Sequence, residues 1–317
     1  MAEDIDKNTS GNTITRLTLY IKEGLKRLLP DSLFIRLMYF HIKGKALHLK
    51  NPKSYNEKLQ WMKLYYHNPL CCDLTDKYKA RSFVSGRIGD KYLIPLVGVY
   101  DSFDEIDFDA LPEKFVIKCN HDSGGVAICR DKNKFDFDAV RKKLEKSLKS
   151  NFYYAGREWQ YKYIEPKLIC EEYIEDSPGD IWDYKIFCFD GVPELIHVNF
   201  DRSTNLKKNI YDINWNLLDV EMHYSNDPDK IIDKPGNLDE MLEVAARLSK
   251  GFPHVRVDLY NVEGEIYFGE MTFTHTGGNS DFRPESFDYE LGSWLTLPPK
   301  MTFRQRMKIE RNMRKKA

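Results

Sequence analysis

Apolar positions along the chain switch between helical and strand periods, and the switches mark out most of the elements. Over 13–50, Leu17, Ile21, Leu25, Leu28 and Leu29 recur at helical spacing against Lys22, Lys26 and Arg27, and Pro30-Asp31-Ser32 separates two helices. Such a basic amphipathic stretch suits a helix packed on a core or one lying on a membrane surface. Ser54 and Glu57 have capping-box spacing ahead of Leu59, Trp61 and Leu64. The pattern over 73–84 reads as one continuous helix. Strands follow at 92–100, bent or edged by Pro95, and then at 113–119 and 126–129. An amphipathic helix over 136–149 leads to strands at 168–174, 182–189 and 194–200, the last two turned at Asp190-Gly191. The segment 202–237 is polar and turn-rich, and 238–250 is helical. A hairpin spans 254–274 around Glu263-Gly264. The basic tail at 300–316 reads as a solvated helix or a disordered segment.

The hairpin carries the densest chemistry. Period-two alternation puts Val255, Val257 and Leu259 on one side, Arg256 and Asp258 on the other, and gives Glu270 and Thr272 a common face. A loop with an odd number of residues sets Asp258 opposite Glu270. Two carboxylates across a ladder repel, and the neighbouring Val, Leu, Ile and Phe solvate them poorly, so a positive partner is required. Two arrangements supply one. Mg²⁺ takes one or two carboxylates together with phosphate oxygens, with Arg256 clamping a phosphoryl group beside it. Alternatively, Arg256 pairs with Glu270 across the strands and Asp258 is solvated. On the metal arrangement, neutralising Glu270 keeps or slightly raises stability in the absence of metal.

Charge and composition narrow the classes. The chain has 317 residues, a formal net charge of -1, a pI near 6.7 and a mean hydropathy of -0.56. This length supports a large core and two lobes. There is no basic excess for a global nucleic-acid binder. The most apolar early run, 33–42, is short and interrupted by Arg36, so no membrane span is expected. Residues 1–10 lack the basic start and apolar core of an export leader. The six cysteines form no CxxC pair, and Cys119, Cys170 and Cys188 sit in apolar runs, which suits buried thiols in a reducing cytosol.

Upstream, Lys118 emerges from an apolar strand just before Asn120-His121-Asp122-Ser123-Gly124-Gly125. A lysine followed by glycines that let backbone N–H groups approach an anion suits a phosphate site, though a solvated hairpin tip has the same composition. The strand over 168–174 can offer its backbone to a flat base, with Asp183 or Glu171 taking ribose hydroxyls. Exposed carboxylates at strand ends would look the same.

Taken in order, Asp76-Lys77 with Arg81, Lys118 with its glycine loop, Glu171-Glu172-Tyr173-Ile174, Asp183-Tyr184-Lys185, Arg256-Val257-Asp258 and Gly269-Glu270-Met271-Thr272 resemble the ATP-grasp fold of carboxylate-amine ligases. Asn51-Pro52-Lys53-Ser54-Tyr55-Asn56-Glu57-Lys58-Leu59-Gln60-Trp61 and the stretches at 118–124 and 256–260 are similar to the TupA-like branch, which serves teichuronopeptide and surface-polysaccharide synthesis. The resemblance implies an α+β fold of two lobes clasping ATP: a helical region at 1–68, a core at 69–297 with a lid lobe near 100–175 and a metal-binding lobe near 176–297, and a tail at 298–317. It implies that Arg81, Lys118, Ser123, Gly124 and Gly125 hold phosphates, that Glu171, Glu172, Tyr173 and Ile174 contact adenine, and that Asp183 takes the ribose. Lys185, Arg202 and Arg256 are implied as catalytic, and Asp258, Glu270 and Thr272 as Mg²⁺ ligands. ATP-grasp ligases usually carry Asn where Thr272 stands, which leaves one or two metal ions open. The implied reaction joins an amine, by resemblance an amino acid, to a uronic-acid carboxylate on a saccharide or lipid-linked saccharide through an acyl phosphate.

A sugar kinase on the same fold remains an alternative, as does a glycosyltransferase using Asp107-Phe108-Asp109 or Asp136-Phe137-Asp138, although both of those lie in turn or helix-start sequence. The expected location is cytoplasmic. Lys22, Lys26, Arg304, Arg306, Lys308 and Arg311 offer peripheral contact with the inner face of a membrane.

Overall fold

The computed structural model describes residues 27–175, 182–200 and 207–315. The predicted helix ahead of residue 27, with Lys22 and Lys26, lies outside the described residues, as do the turn at 177–180 and Arg202.

Two antiparallel sheets carry the described chain. The smaller contains β1 (Leu96–Tyr100), β2 (Phe115–Cys119), β3 (Val126–Cys129) and β4 (Leu168–Glu172) in the order β1-β4-β2-β3. The larger contains β5 (Asp183–Phe189), β6 (Val192–Phe200), β7 (Lys207–Tyr211), β9 (His254–Val262) and β10 (Glu265–Thr272), ordered β10-β9-β5-β6-β7. Short strands β8 (Glu221–Met222) and β11 (Phe282–Arg283) pair separately. With helices segregated to the sheet faces, the class is α+β.

Alternation decides what each sheet buries. In β2, Phe115, Ile117 and Cys119 pack with Leu144 of α5 (Phe137–Leu148), which leaves Val116 and Lys118 on the opposite face. In the larger sheet, Val255, Val257 and Leu259 enter one core with α4 (Ala80–Ile88) and α7 (Leu238–Ser249). Phe187, Phe189 and Leu195 enter a second core with α1 (Asp31–Lys43), α2 (Tyr55–Tyr65) and α8 (Ser286–Trp294). This second face turns polar toward Asp183 and Asp258, where the two sheets approach each other.

Ser54 and Glu57 form the reciprocal capping box at the start of α2. The run read as one helix over 73–84 is instead two, α3 (Pro69–Thr75) and α4, because the Asp76 carboxylate accepts from the Tyr78 and Lys79 N–H groups and ends the first. The polar segment after residue 202 contains β7, whose alternation is masked by Lys207, Lys208 and Asn209. The C-terminal segment is neither disordered nor detached. Helix α9 (Phe303–Arg314), capped by Thr302 and Gln305, buries Met313 against Tyr153 and Trp159, while Glu310 receives Lys162 at 3.0 Å and Tyr163 at 2.9 Å. Short α6 (Tyr153–Gly156) lies beside it. No helix among the described residues is long and apolar enough to cross a membrane.

Candidate functional site

A cleft of about 230 Å³ lies between the sheets, walled by Lys118 and the Ser123-Gly124-Gly125 loop on one side and by Asp183, Lys185, Asp258 and Glu270 on the other. Each wall is built by local rules and aligned by tertiary ones.

On the hairpin, Glu263 and Gly264 both have positive φ, and Val262 pairs with Glu265, the geometry of a two-residue type I′ turn. Carried through unchanged, that even loop would set Asp258 opposite Gly269 and turn Glu270 to the other face. A β-bulge between Phe268 and Glu270 resets the register, so Asp258 faces Glu270 and Arg256 faces Thr272. Gly269 permits it: a Cβ there would stand 3.1 Å from the Asp258 carbonyl oxygen and 3.3 Å from the Tyr260 ring.

The charges that meet on this face are balanced. Arg256 donates from Nε to Asp258 Oδ1 and from Nη2 to Asp258 Oδ2, both at 2.6 Å. The same Nη2 reaches Thr272 Oγ1 at 3.0 Å and Glu270 Oε1 at 3.3 Å, and Nη1 meets His275 Nδ1 at 2.5 Å. Lys185 bridges Asp258 at 2.5 Å and Asp183 at 2.6 Å, and Lys77 stands 3.8 Å from Glu270. The expected repulsion between Asp258 and Glu270 is therefore relieved within the protein, and neither sequence-based arrangement describes it: Arg256 serves both carboxylates at once, and Asp258 is buried, not solvated. Burial pushes the Asp258 carboxyl up against the opposing pull of Arg256 and Lys185. Desolvation also acts to raise Glu270, but Lys77, Arg256 and Lys185 outweigh it and hold that carboxyl at about 2.

Asp258, Glu270 and Thr272 converge on a single cationic nitrogen, so this donor set suits a small cation. Two carboxylates and a hydroxyl match Mg²⁺, which completes its shell from phosphates and water. Among the described residues, no three His, Cys, Asp or Glu side chains form a cage of their own.

Across the cleft, Lys118 Nζ lies 2.6 Å from Glu171 Oε2, and Arg81 Nη1 lies 3.0 Å from Glu171 Oε1 while its Nη2 donates to the Ile94 carbonyl. Arg81 therefore stands behind Glu171 and outside the cleft lining; the cation that reaches the lining from this segment is Lys77, freed by the Asp76 break and held to the Asp122 carbonyl at 2.6 Å. Asn120 is fully buried and ties the glycine loop to Asp76 at 2.9 Å and to the Glu165 carbonyl at 3.0 Å. Val126 and Ile128 are exposed apolar residues on the sheet face that carries Lys118. Glu172 is exposed, and Tyr173 accepts a hydrogen bond from Arg130. Ile174 is half-buried beyond the end of β4.

Periodicity missed several residues near the site. Helical spacing over 73–84 conceals Lys77, although it belongs to the Asp76-Lys77 motif. Lys208 and Asn199 continue the polar face: Asp183 pairs in register with Asn199, and Asn199 with Lys208. Burial, with Arg256 and Lys185 nearby, lowers the Lys208 amine to about 7, and its Nζ lies 4.3 Å over the Tyr224 ring. His275 follows β10 in a loop pinned by α2, where Gln60 donates to the Gly278 carbonyl at 2.8 Å and Lys63 to the Gly277 carbonyl at 2.8 Å. The 51–61 motif is thus spent partly on holding the loop beside Thr272. Asp107 accepts backbone N–H groups within a turn and Asp136 caps the N-terminus of α5, and neither Asp-x-Asp motif lines the cleft. All six thiols are free and buried.

A sequence model of the TupA-like ATPgrasp family matches residues 57–296. The chain belongs to that family. No curated protein sequence matches it. Among solved structures, a D-alanine–D-alanine ligase from Bacillus anthracis complexed with ATP is 18% identical, aligning 63% of this chain with 55% of that one at a TM-score of 0.38. N5-carboxyaminoimidazole synthetase from Staphylococcus aureus complexed with ADP is 10% identical, over 86% and 60% of the two chains, with a TM-score of 0.39. The ATP-grasp ligase PsnB complexed with a precursor variant, Mg and ADP is 11% identical, over 91% and 74%, with a TM-score of 0.42. The chain thus spans little more than half the length of the Bacillus anthracis ligase. The family match alone assigns this TupA-like chain to the ATP-grasp fold.

Proposed function

We propose that the protein is an ATP- and Mg²⁺-dependent ligase that activates a carboxylate as an acyl phosphate and passes it to an amine. The observation that carries this reading is the convergence of Asp258, Glu270 and Thr272 on one cationic point across a narrow cleft from Lys118 and a glycine loop. Within it, 100–175 is the nucleotide lid and 176–297 the metal-binding lobe, flanked by the N-terminal region 1–68 and the C-terminal segment 298–317.

The lid receives the nucleotide. Val126 and Ile128 offer an apolar face to the base, with 171–174 along its edge and Asp183 at the ribose. Lys118 and the N–H groups of Ser123, Gly124 and Gly125 take the phosphates. Arg81 holds Glu171 so that Lys118 can exchange partners. Asp258, Glu270 and Thr272 would hold Mg²⁺, which would supply charge neutralisation to the triphosphate. The acceptor carboxylate enters from the β6–β7 side, where Lys208 and Lys185 neutralise it and aim one oxygen at the γ-phosphorus. That oxygen bonds to phosphorus as the bond to ADP breaks. An amine then attacks the acyl carbon, and inorganic phosphate leaves with the electron pair of the broken C–O bond while the amine's proton passes to the departing phosphate. Arg202 is a further candidate for phosphate contact.

The acceptor class we assign is a uronic-acid carboxylate of a bacterial surface polysaccharide, free or lipid-linked, with an amino acid as the amine. The exposed Arg304, Lys308 and Arg311 of α9 suit contact with an anionic membrane face. Product analysis tests the reading. ADP and phosphate release requiring both a uronic acid and an amine supports it; ADP formation with saccharide alone indicates a kinase, and UDP from a nucleotide-sugar donor indicates a transferase.

A further inference from the structure

One nitrogen of Arg256 touches all three oxygens assigned to the metal: Asp258 Oδ2 at 2.6 Å, Thr272 Oγ1 at 3.0 Å and Glu270 Oε1 at 3.3 Å. The other two guanidinium nitrogens are also engaged on this side of the cleft, Nε on Asp258 and Nη1 on His275. A residue read from sequence as a phosphate clamp is therefore turned the other way, into the acidic set. Among the described residues, Asp183, Asp258 and Glu270 are each paired with at least one of Lys77, Lys185 and Arg256, so every carboxylate of the site has a cationic partner.

We propose that Arg256 is a built-in stand-in for the metal, and that Mg²⁺ gains the Asp258-Glu270-Thr272 site only together with the nucleotide. The inference rests on the ligase reading and adds an order of assembly to it. A bare divalent ion would have to displace a bidentate guanidinium and would leave two positive charges uncompensated in a buried place, where desolvation makes unpaired charge costly. The nucleotide removes both obstacles. Its phosphates supply the missing negative charge and give Arg256 and Lys77 new acceptors, so the cations move from the carboxylates to the phosphates as the metal takes the oxygens they release. Arg256 thereby becomes the phosphate clamp, but only in the loaded state. The arrangement also spares the empty enzyme from holding a metal without its substrate.

His275 decides whether Arg256 can do this. Nη1 donates to His275 Nδ1, so that nitrogen carries no proton, and burial beside Arg256 keeps the ring neutral. Its loop is pinned by Gln60 and Lys63, which anchors one end of the guanidinium while Nη2 changes partners.

Mn²⁺ binding followed by electron paramagnetic resonance, with and without a non-hydrolysable ATP analogue, tests the order. For the wild type, essentially no bound Mn²⁺ is expected at ~1 mM metal without nucleotide, and stoichiometric binding with the analogue present. Arg256→Gln should bind Mn²⁺ without nucleotide at least ~10-fold more tightly than the wild type, since the competing cation is gone. If that variant does not fold, Arg256→Lys, which keeps the charge but loses the two-toothed grip, should show the same gain in smaller measure. Wild-type protein that takes up Mn²⁺ equally well with and without nucleotide overturns the stand-in role and leaves the ligase reading intact. Wild-type protein that binds no Mn²⁺ under either condition overturns both.

Discussion

The two walls of the cleft solve the problem of buried charge in opposite ways. On the smaller sheet one carboxylate, Glu171, holds two cations, Lys118 and Arg81, so the strand side of that wall carries surplus positive charge at short range, while Asp122 of the loop is occupied by Ser147 and the Gly125 N–H. On the larger sheet Asp183, Asp258 and Glu270 are paired, among the described residues, with Lys185 and Arg256 of the same sheet and with Lys77 from the turn ahead of α4, and the wall is rich in oxygen. The first arrangement attracts an anion outright. The second can hold a divalent cation only if something draws its own cations off. A magnesium–nucleotide complex brings both what the first wall lacks and what the second must exchange, so the asymmetry between the walls favours that complex over either component alone.

The sharpest separation of the two walls is expected in acid. His197, His254 and His275 are buried in or beside the larger sheet and held neutral by desolvation, with His254 lowered to about 3. A histidine whose folded pKa lies below its unfolded one contributes stability that is present above about pH 6.5 and lost as pH falls toward the folded value. Each contributes about 1.4 kcal/mol per pH unit in that window. Three such groups give a slope of about 4 kcal/mol per pH unit below pH 6.5. Urea unfolding between pH 5 and 7, with a tryptophan signal for the larger sheet and hydrogen exchange for both, should show the larger sheet yielding first. Equal acid sensitivity of the two sheets would remove the contrast.

Next in size is Asp258→Asn. It removes the carboxylate shared by Arg256 and Lys185 and should cost about 3–5 kcal/mol of stability, because both cations remain buried. Lys118→Ala, on the opposite wall, should leave stability nearly unchanged, since Glu171 keeps Arg81, while weakening ATP binding by about 1.5–3 kcal/mol in calorimetry. A Lys118→Ala protein that binds ATP normally would end the assignment of that wall to phosphate.

The smallest effect is expected for Glu270→Gln. On the metal arrangement read from the sequence, neutralising Glu270 relieves repulsion; with Arg256 and Lys77 in place, the substitution should instead cost up to about 1 kcal/mol, reduced by solvent because the side chain is 40% exposed. Its carboxyl is held near 2, so its contribution is present above about pH 4.5 and fades as pH falls toward 2. The difference between wild-type and variant stability should shrink over that range. A variant more stable than wild type at pH 7 would restore the repulsive picture.

Much of this is written in local sequence. Period-two alternation placed Val257 and Asp258 on opposite faces, the capping box fixed the start of α2, and Lys118 ahead of its glycine loop was visible without any tertiary knowledge, since each depends on residues within one or two turns of backbone. The partners of those residues were not legible. Whether Asp258 meets Glu270 turns on a one-residue bulge at Gly269, and alternation cannot say where a strand slips. Arg81 and Lys77 lie in one short segment, yet only the break at Asp76 decided which of them reaches the cleft. Lys208 reads as one more polar residue of a turn-rich segment until β7 is paired beside β6 and its amine is buried. The sequence determined which residue types were available and which way each strand would face, because those are short-range properties of the backbone. The tertiary structure decided which charges neutralise one another, because that depends on distances of a few ångströms between segments far apart in the chain.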